Sequence, residues 1–74
     1  MKKNIRREII KSRLKEELEA SKMSFTEIAK AVGVKVQMIT QYRNSTKLPS
    51  IETLSKICEV LGADANYILG ITEN

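Results

Sequence analysis

Apolar residues along this chain recur at helical spacing, and no segment shows the alternation of a half-buried β-strand. The spacing predicts five helices. The first is expected to begin after Asn4, whose side chain suits an N-cap, and to run to about Ser21. Its apolar positions are Ile5, Ile9, Ile10, Leu14 and Leu18.

The second helix has a clear start signal in the sequence. Ser24 and Glu27 form a Ser-x-x-Glu capping box, in which each side chain bonds a backbone N–H of the other residue. Met23 before the cap and Ile28 after it can form a hydrophobic staple. Gly33 predicts the end of this helix at the residue before it, because glycine adopts left-handed backbone angles without steric cost.

The third helix is predicted from Val36 to Arg43. Ile39 and Tyr42 lie one turn apart and are expected to face inward. Lys35, at the position before this helix, is a poor N-cap residue.

Two further helices follow a loop. Ser50 is the expected N-cap of the fourth helix, and Gly62 ends it. Asp64 is the expected N-cap of a short fifth helix over residues 65–69. The pattern therefore predicts an all-α fold and a single domain over residues 1–74. The apolar stripe of the fourth helix is Leu54, Ile57, Cys58 and Leu61.

The second and third helices are joined by a very short turn around Gly33. A small residue, Ala29, stands where the two helices must cross closely, and Val34 and Ile39 can fill the wedge between them. Such a pair holds its second helix out from the surface, at an angle suited to a DNA major groove. We therefore assign residues 24–43 as a helix-turn-helix core.

Positive charge is unevenly distributed over the chain, whose formal net charge is +4. Residues 1–21 have a balance of +3, residues 22–48 of +4 and residues 49–74 of −3. No acidic residue occurs from Gly33 to Lys47. A basic middle segment favours a face for a polyanion, although a solvated charged face has the same pattern.

Several short motifs cover the chain from the second helix to Gly70. They are Ser24 with Glu27, Ile28-Ala29, Gly33-Val34, Ile39, Pro49-Ser50, Glu52-Thr53-Leu54, Leu61-Gly62 and Tyr67-Ile68-Leu69-Gly70. Together they resemble the Cro/phage-repressor type (XRE-like) helix-turn-helix family over about residues 14–70. The resemblance implies a five-helix, lambda-repressor-like DNA-binding domain that binds an operator as a dimer, with residues 4–13 as an extension of the first helix.

The chain departs from that family pattern at a few positions near the expected DNA side. Phe25 stands where members often carry a glutamine that supports a phosphate contact, and Lys35 where a serine or threonine cap is usual. Arg43 stands where an acidic residue is common, and Lys22 and Ser45 where glycine is common. The arginine makes the expected DNA side more cationic.

The face of the third helix opposite Ile39 and Tyr42 is the candidate base-contacting surface. Glutamine can bond adenine N6 and N7, and a threonine or valine methyl can pack on the thymine methyl, so this face favours A·T-containing sites. Outside a helix-turn-helix, two exposed glutamines would be interpreted as ordinary solvated surface residues. Their place on the third helix of a helix-turn-helix favours contact with bases instead. The candidates are Val36, Gln37, Thr40 and Gln41.

Phosphate contacts are expected from residues at the rim of the recognition helix. The candidates are Lys35, Arg43, Asn44, Thr46 and Lys47. Basic residues of the first segment are either further contacts to flanking phosphates or a solvated helix start. They are Lys2, Lys3, Arg6, Arg7, Lys11 and Arg13.

An enzyme is not expected from this inventory of residues. The chain has no histidine, and its one cysteine, Cys58, lies on an apolar stripe. We expect no metal, cofactor or small-molecule ligand, because ligand spacings and phosphate-binding glycine loops are absent from the sequence. No apolar run approaches the roughly 20 residues of a membrane span, and a single cysteine favours the reducing cytoplasm.

The sequence therefore predicts a transcriptional repressor that binds a palindromic operator through residues 36–43 as a homodimer. Two other functions remain open: an antitoxin, which would also neutralise a partner protein, and a protein-interaction module without DNA binding. Ile5 and Ile9 either extend the packing onto the fifth helix or form a dimer contact. The candidate dimer surfaces are Ile5 and Ile9 on the first helix and the exposed end of the fifth helix near Ile68 and Ile71.

Overall fold

The structure is a computed structural model that describes residues 5–73. Its helices are α1 (Ile5–Ala20), α2 (Phe25–Val32), α3 (Val36–Arg43), α4 (Ile51–Leu61) and α5 (Ala65–Ile68). No strand occurs in this part of the chain, which confirms the all-α prediction. The first and last helices each end one residue before the predicted end, and the expected N-cap Asn4 lies outside the described residues. None of the helices between residues 5 and 73 combines the length and the apolar character needed to cross a bilayer.

The start and end of α2 are fixed by the residues that the sequence indicated. Ser24 Oγ accepts a hydrogen bond from the Glu27 N–H at 3.1 Å, and Glu27 Oε1 accepts one from the Ser24 N–H at 2.8 Å. Gly33 has a φ of +88°, and its N–H donates to the Ala29 carbonyl at 2.8 Å. The chain therefore turns within three residues and enters α3 directly.

The core lies at the centre of the helix cluster and fixes α3 from inside. α3 packs against α1 and α2, α4 packs against α2, and α5 packs against α1. Ile39 of α3 is completely buried, and Tyr42, one turn later, is 3% exposed. Ala29 is also buried, as the close crossing of α2 and α3 requires. The largest fully buried side chains are Leu14, Leu18, Ile28, Ile39, Ile57 and Ile68.

Two arginines of α1 hold the end of α5. Arg13 Nη1 donates to the carbonyls of Tyr67 at 2.6 Å and Thr72 at 2.7 Å, and its guanidinium lies 4.3 Å from the centre of the Tyr67 ring. Arg6 Nη1 donates to the Leu69 carbonyl at 3.0 Å. These cations therefore satisfy backbone acceptors at a helix C-terminus, where positive charge is favourable. The guanidinium groups of Arg6 and Arg13 are therefore neither fully solvated nor entirely free to donate hydrogen bonds to a DNA phosphate.

Ile9 also contributes to the junction between α1 and α5. A Cβ built on Gly70 would lie 3.2 Å from Ile9 Cγ2, and Gly70 has a φ of +78°. Both the close approach and the backbone angle therefore favour glycine here. Of the two alternatives for Ile9, packing onto the α5 region is the one that the structure supports.

Replacing Arg13 with alanine is expected to lower the free energy of unfolding by about 1–3 kcal/mol, because two carbonyls lose a charged donor. Chemical denaturation measures the effect. Lys15→Ala is the control, since Lys15 is an exposed residue of the same helix and its loss changes the net charge equally. Equal stabilities of the two variants would show that the Arg13 contacts contribute nothing.

Candidate nucleic-acid interface

The outward face of α3 is the site that the sequence singled out. Because Ile39 and Tyr42 point into the core, Val36, Gln37 and Thr40 lie on the opposite side and are exposed. Val36 is 38% exposed, so its methyl groups are accessible on this face. The inward orientation of Ile39 and Tyr42 is thereby confirmed.

The polar side chains on this face differ in whether they already form hydrogen bonds within the protein. The Gln37 side chain makes no hydrogen bond with any residue between 5 and 73, so both ends of its amide are available. Thr40 Oγ1 donates to the Val36 carbonyl one turn earlier at 3.3 Å, which leaves its oxygen as an acceptor. Gln37 is therefore the most accessible hydrogen-bonding side chain among the four base-contacting candidates.

Gln41 is placed differently from Gln37. Its side chain is half-buried, and its Oε1 has neither exposed surface nor a hydrogen-bond partner in the described part of the chain. A buried amide oxygen without a donor is unfavourable. Contact of this oxygen with a base therefore requires a change of side-chain rotamer, which Gln37 does not need.

The loop after α3 is held by its own hydrogen bonds. The Asn44 N–H donates to the Thr40 carbonyl, and the Thr46 N–H and Oγ1 both donate to the Gln41 carbonyl, at 3.1 and 3.2 Å. Ser45 has a φ of +63°, an angle at which glycine costs less. The loop is thus a fixed turn, and the Thr46 hydroxyl is engaged within it.

Two of the predicted phosphate-contacting residues are unengaged cations on either side of α3. The side chains of Lys35, before the helix, and Lys47, after the loop, are exposed and form no ion pair within residues 5–73. Lys35 also gives α3 no side-chain cap, as expected. The first N–H groups of α3 therefore lack a side-chain acceptor, and such groups favour anions.

The third cation, Arg43, is paired. Its Nη2 lies 2.8 Å from Glu19 Oε2 of α1, and its Nη1 donates to Asn44 Oδ1 at 3.1 Å. This ion pair could not be predicted from the sequence, because nothing local in the sequence relates the end of α1 to the end of α3. Arg43 and Asn44 are therefore brought together, with the charge of Arg43 offset by Glu19 and the Asn44 Oδ1 already accepting a hydrogen bond.

Phe25 lies beside this ion pair. It is half-buried against the core and lines a surface groove between the end of α1, the start of α2 and the end of α3. Glu19, Thr40, Arg43 and Asn44 line the same groove. The aromatic ring thus has a packing role at the position where the family pattern often has a phosphate-supporting glutamine.

The one cysteine of the chain lies in the core. Cys58 is 8% exposed; burial raises the pKa of its thiol, and the carboxylates of Glu17 and Asp64 raise it further. The neutral thiol is therefore favoured, which agrees with an inert core cysteine. Between residues 5 and 73, no three carboxylate or cysteine side chains form a group that could hold a metal ion.

Comparison with known protein families gives a match over most of the chain. The sequence profile of the family described as Helix-turn-helix matches residues 14–68. This segment runs from the middle of α1 to the end of α5 and includes the whole outward face of α3. No curated protein and no solved structure gives a match.

Proposed function

Because this chain belongs to the helix-turn-helix family of XRE-like DNA-binding transcription regulators, we propose that it is a repressor that binds a palindromic operator as a homodimer. The five-helix, lambda-repressor-like fold expected from the resemblance is confirmed. The observation that supports the proposal best is the outward face of α3. It presents an unengaged glutamine on a helix that Ile39 and Tyr42 anchor in the core.

Base contacts are assigned to the outward face of α3. Gln37 donates to and accepts from an adenine edge, and the Val36 methyls pack on a neighbouring thymine methyl. Thr40 adds an acceptor or a methyl contact one turn later. Gln41 joins after its side chain rotates out of the half-buried position described above.

Phosphate contacts are assigned to the residues on either side of that face. Lys35 and Lys47 neutralise phosphates directly, since neither has an intramolecular partner among residues 5–73. The charge of Arg43 is offset by Glu19, Asn44 is uncharged and can donate from its Nδ2, and the Thr46 hydroxyl can donate to a phosphate only by giving up its bond to the Gln41 carbonyl. We therefore expect the two lysines to dominate the salt dependence of binding.

A homodimer is proposed because one short recognition helix carries too little sequence information. The eight residues of α3 can contact only about four or five base pairs, and two-fold symmetric copies would double that number. Ile5 and Ile71 are 69% and 63% exposed and remain candidate dimer residues. Ile68 is completely buried and completes the core, so of the two isoleucines at this end of α5 only Ile71 has a side chain exposed enough for a dimer contact.

The test separates sequence recognition from general attraction to DNA. On duplexes selected from a random pool by the purified chain, Gln37→Ala should cost about 1–3 kcal/mol and relax preference at one or two base pairs. Lys47→Ala should weaken binding to every sequence and reduce the slope of log K against log salt by about one unit. Fluorescence anisotropy at several salt concentrations measures both effects.

Lys56→Ala is the control for the change of charge, because Lys56 is an exposed residue of α4 outside the proposed interface. It should leave the salt slope unchanged. If Gln37→Ala and Gln41→Ala both retain full affinity and selectivity, α3 is not the base-contacting helix. Absence of any salt-sensitive binding by the unmodified chain would favour the protein-interaction module instead.

A further inference from the structure

The ion pair between Glu19 and Arg43 places a carboxylate where a phosphate contact is expected. Arg43 is the last residue of α3, and Glu19 reaches it from the last turn of α1 with a separation of 2.8 Å between charged atoms. Both side chains are partly exposed, at 40% for Glu19 and 44% for Arg43. The pair therefore lies at the surface, beside the outward face of α3.

A carboxylate and a phosphate use an arginine in the same way. Each is an anion whose oxygens accept paired hydrogen bonds from the guanidinium fork. Arg43 has already committed Nη2 to Glu19 and Nη1 to Asn44. A phosphate that approaches Arg43 must therefore displace the carboxylate or tolerate it as a like-charged neighbour.

The cost of that displacement is moderate. A solvent-exposed ion pair contributes little to stability, so DNA can open it without unfolding the domain. The charge of Glu19 nevertheless remains close to the phosphates after the pair opens. Its repulsion acts on every DNA sequence, because phosphates carry no sequence information.

We propose, on the basis of the DNA-binding function proposed above, that Glu19 acts as an internal competitor of the DNA backbone for Arg43. The carboxylate lowers the affinity of the domain for DNA of any sequence. Because this loss is the same for operator and non-operator DNA, the ratio of the two affinities still depends on the base contacts of Gln37 and its neighbours. Glu19 thus sets how strongly the domain binds DNA of any sequence, without itself contacting a base.

The variant Glu19→Gln tests this, because glutamine keeps the shape of the side chain and removes its charge. The expected result is an affinity about threefold to tenfold higher for an unselected duplex at low salt. The slope of log K against log salt should become steeper by up to about one unit, since Arg43 now neutralises a phosphate. Glu59→Gln is the control: Glu59 is an exposed carboxylate of α4 without a partner in residues 5–73, and the net charge changes equally.

A double-mutant cycle with Arg43→Ala completes the experiment. Arg43→Ala should weaken binding only slightly in the unmodified chain and by a larger factor in the Glu19→Gln background. Equal affinities of the Glu19→Gln and Glu59→Gln variants would overturn the proposal. So would weaker binding by Glu19→Gln, which would mean that the carboxylate positions Arg43 for DNA. If the unmodified chain binds no duplex at all, the proposed DNA-binding function fails first, and the two failures are thereby distinguished.

Discussion

Replacing Ile39 with alanine is expected to lower the free energy of unfolding by about 2–5 kcal/mol. Ile39 is completely buried between α3 and the rest of the core, so truncation leaves a cavity that the short helix cannot close. A domain of this length has about 4–11 kcal/mol of stability in total, and the loss is therefore a large fraction of it. Thermal denaturation should show a Tm decrease of more than about 8 °C.

The chain offers a matched control in Ile51. The same substitution there removes the same atoms from a side chain that is 89% exposed, and should change stability by less than about 0.5 kcal/mol. Similar Tm values for the Ile39 and Ile51 variants would contradict the burial of Ile39. DNA affinity measured well below the Tm would show whether α3 keeps its position in the cavity variant.

Inserting five base pairs between the half-sites of a selected operator is expected to lower affinity by roughly 5–150-fold, the usual range of coupling between two sites. Recognition helices of a symmetric dimer lie about 34 Å apart, so half-site centres are separated by roughly 10 base pairs. Five added base pairs rotate one half-site by about half a turn, to the opposite side of the duplex. The two protomers then cannot contact both half-sites and each other.

The control for this experiment is a duplex in which one half-site is destroyed. The lengthened operator should bind no better than this single half-site, because both leave each protomer to bind alone. Affinity that is unchanged by the insertion would exclude the symmetric dimer and indicate a monomeric DNA-binding protein. Electrophoretic mobility distinguishes a complex with one bound protomer from a complex with two, because the two complexes migrate differently.

The helix positions could be predicted from the sequence because their signals are local. The Ser24 and Glu27 pair fixes the start of α2 through bonds between residues three apart. Ser50 and Asp64 likewise accept from nearby N–H groups at the starts of α4 and α5. Such caps depend on residue type and spacing alone, so the sequence contains all the information they require.

The polar contacts between distant segments could not be predicted in the same way. Arg13 could equally be a solvated cation or a phosphate contact until the packing of α5 against α1 places two carbonyls within its reach. Arg43 was expected to make the DNA side more cationic, but its charge is offset by Glu19. In both cases the hydrogen-bond or ion-pair partner is determined by tertiary packing, which helical periodicity does not predict.

Helical periodicity also does not predict whether a side chain at the edge of a helix face is exposed or enclosed. Gln37 and Gln41 are one turn apart and were equivalent candidates. In the fold Gln37 is exposed, while the Oε1 of Gln41 is enclosed. Position on a helix gives the direction of Cβ, but the rotamer of a long side chain depends on its neighbours.

The arginine contacts between α1 and α5 also bear on the order in which the chain folds. α5 has only four residues, and isolated helices shorter than about 12–15 residues are marginal in water. Its Arg6 and Arg13 donors are 63 and 54 positions away in the chain, so closing these contacts has a large entropic cost. The hairpin of α2 and α3 is local by comparison and can form before that closure. Amide hydrogens of α5 and of the first turns of α1 should therefore exchange with solvent together, as one cooperative unit that opens before the core.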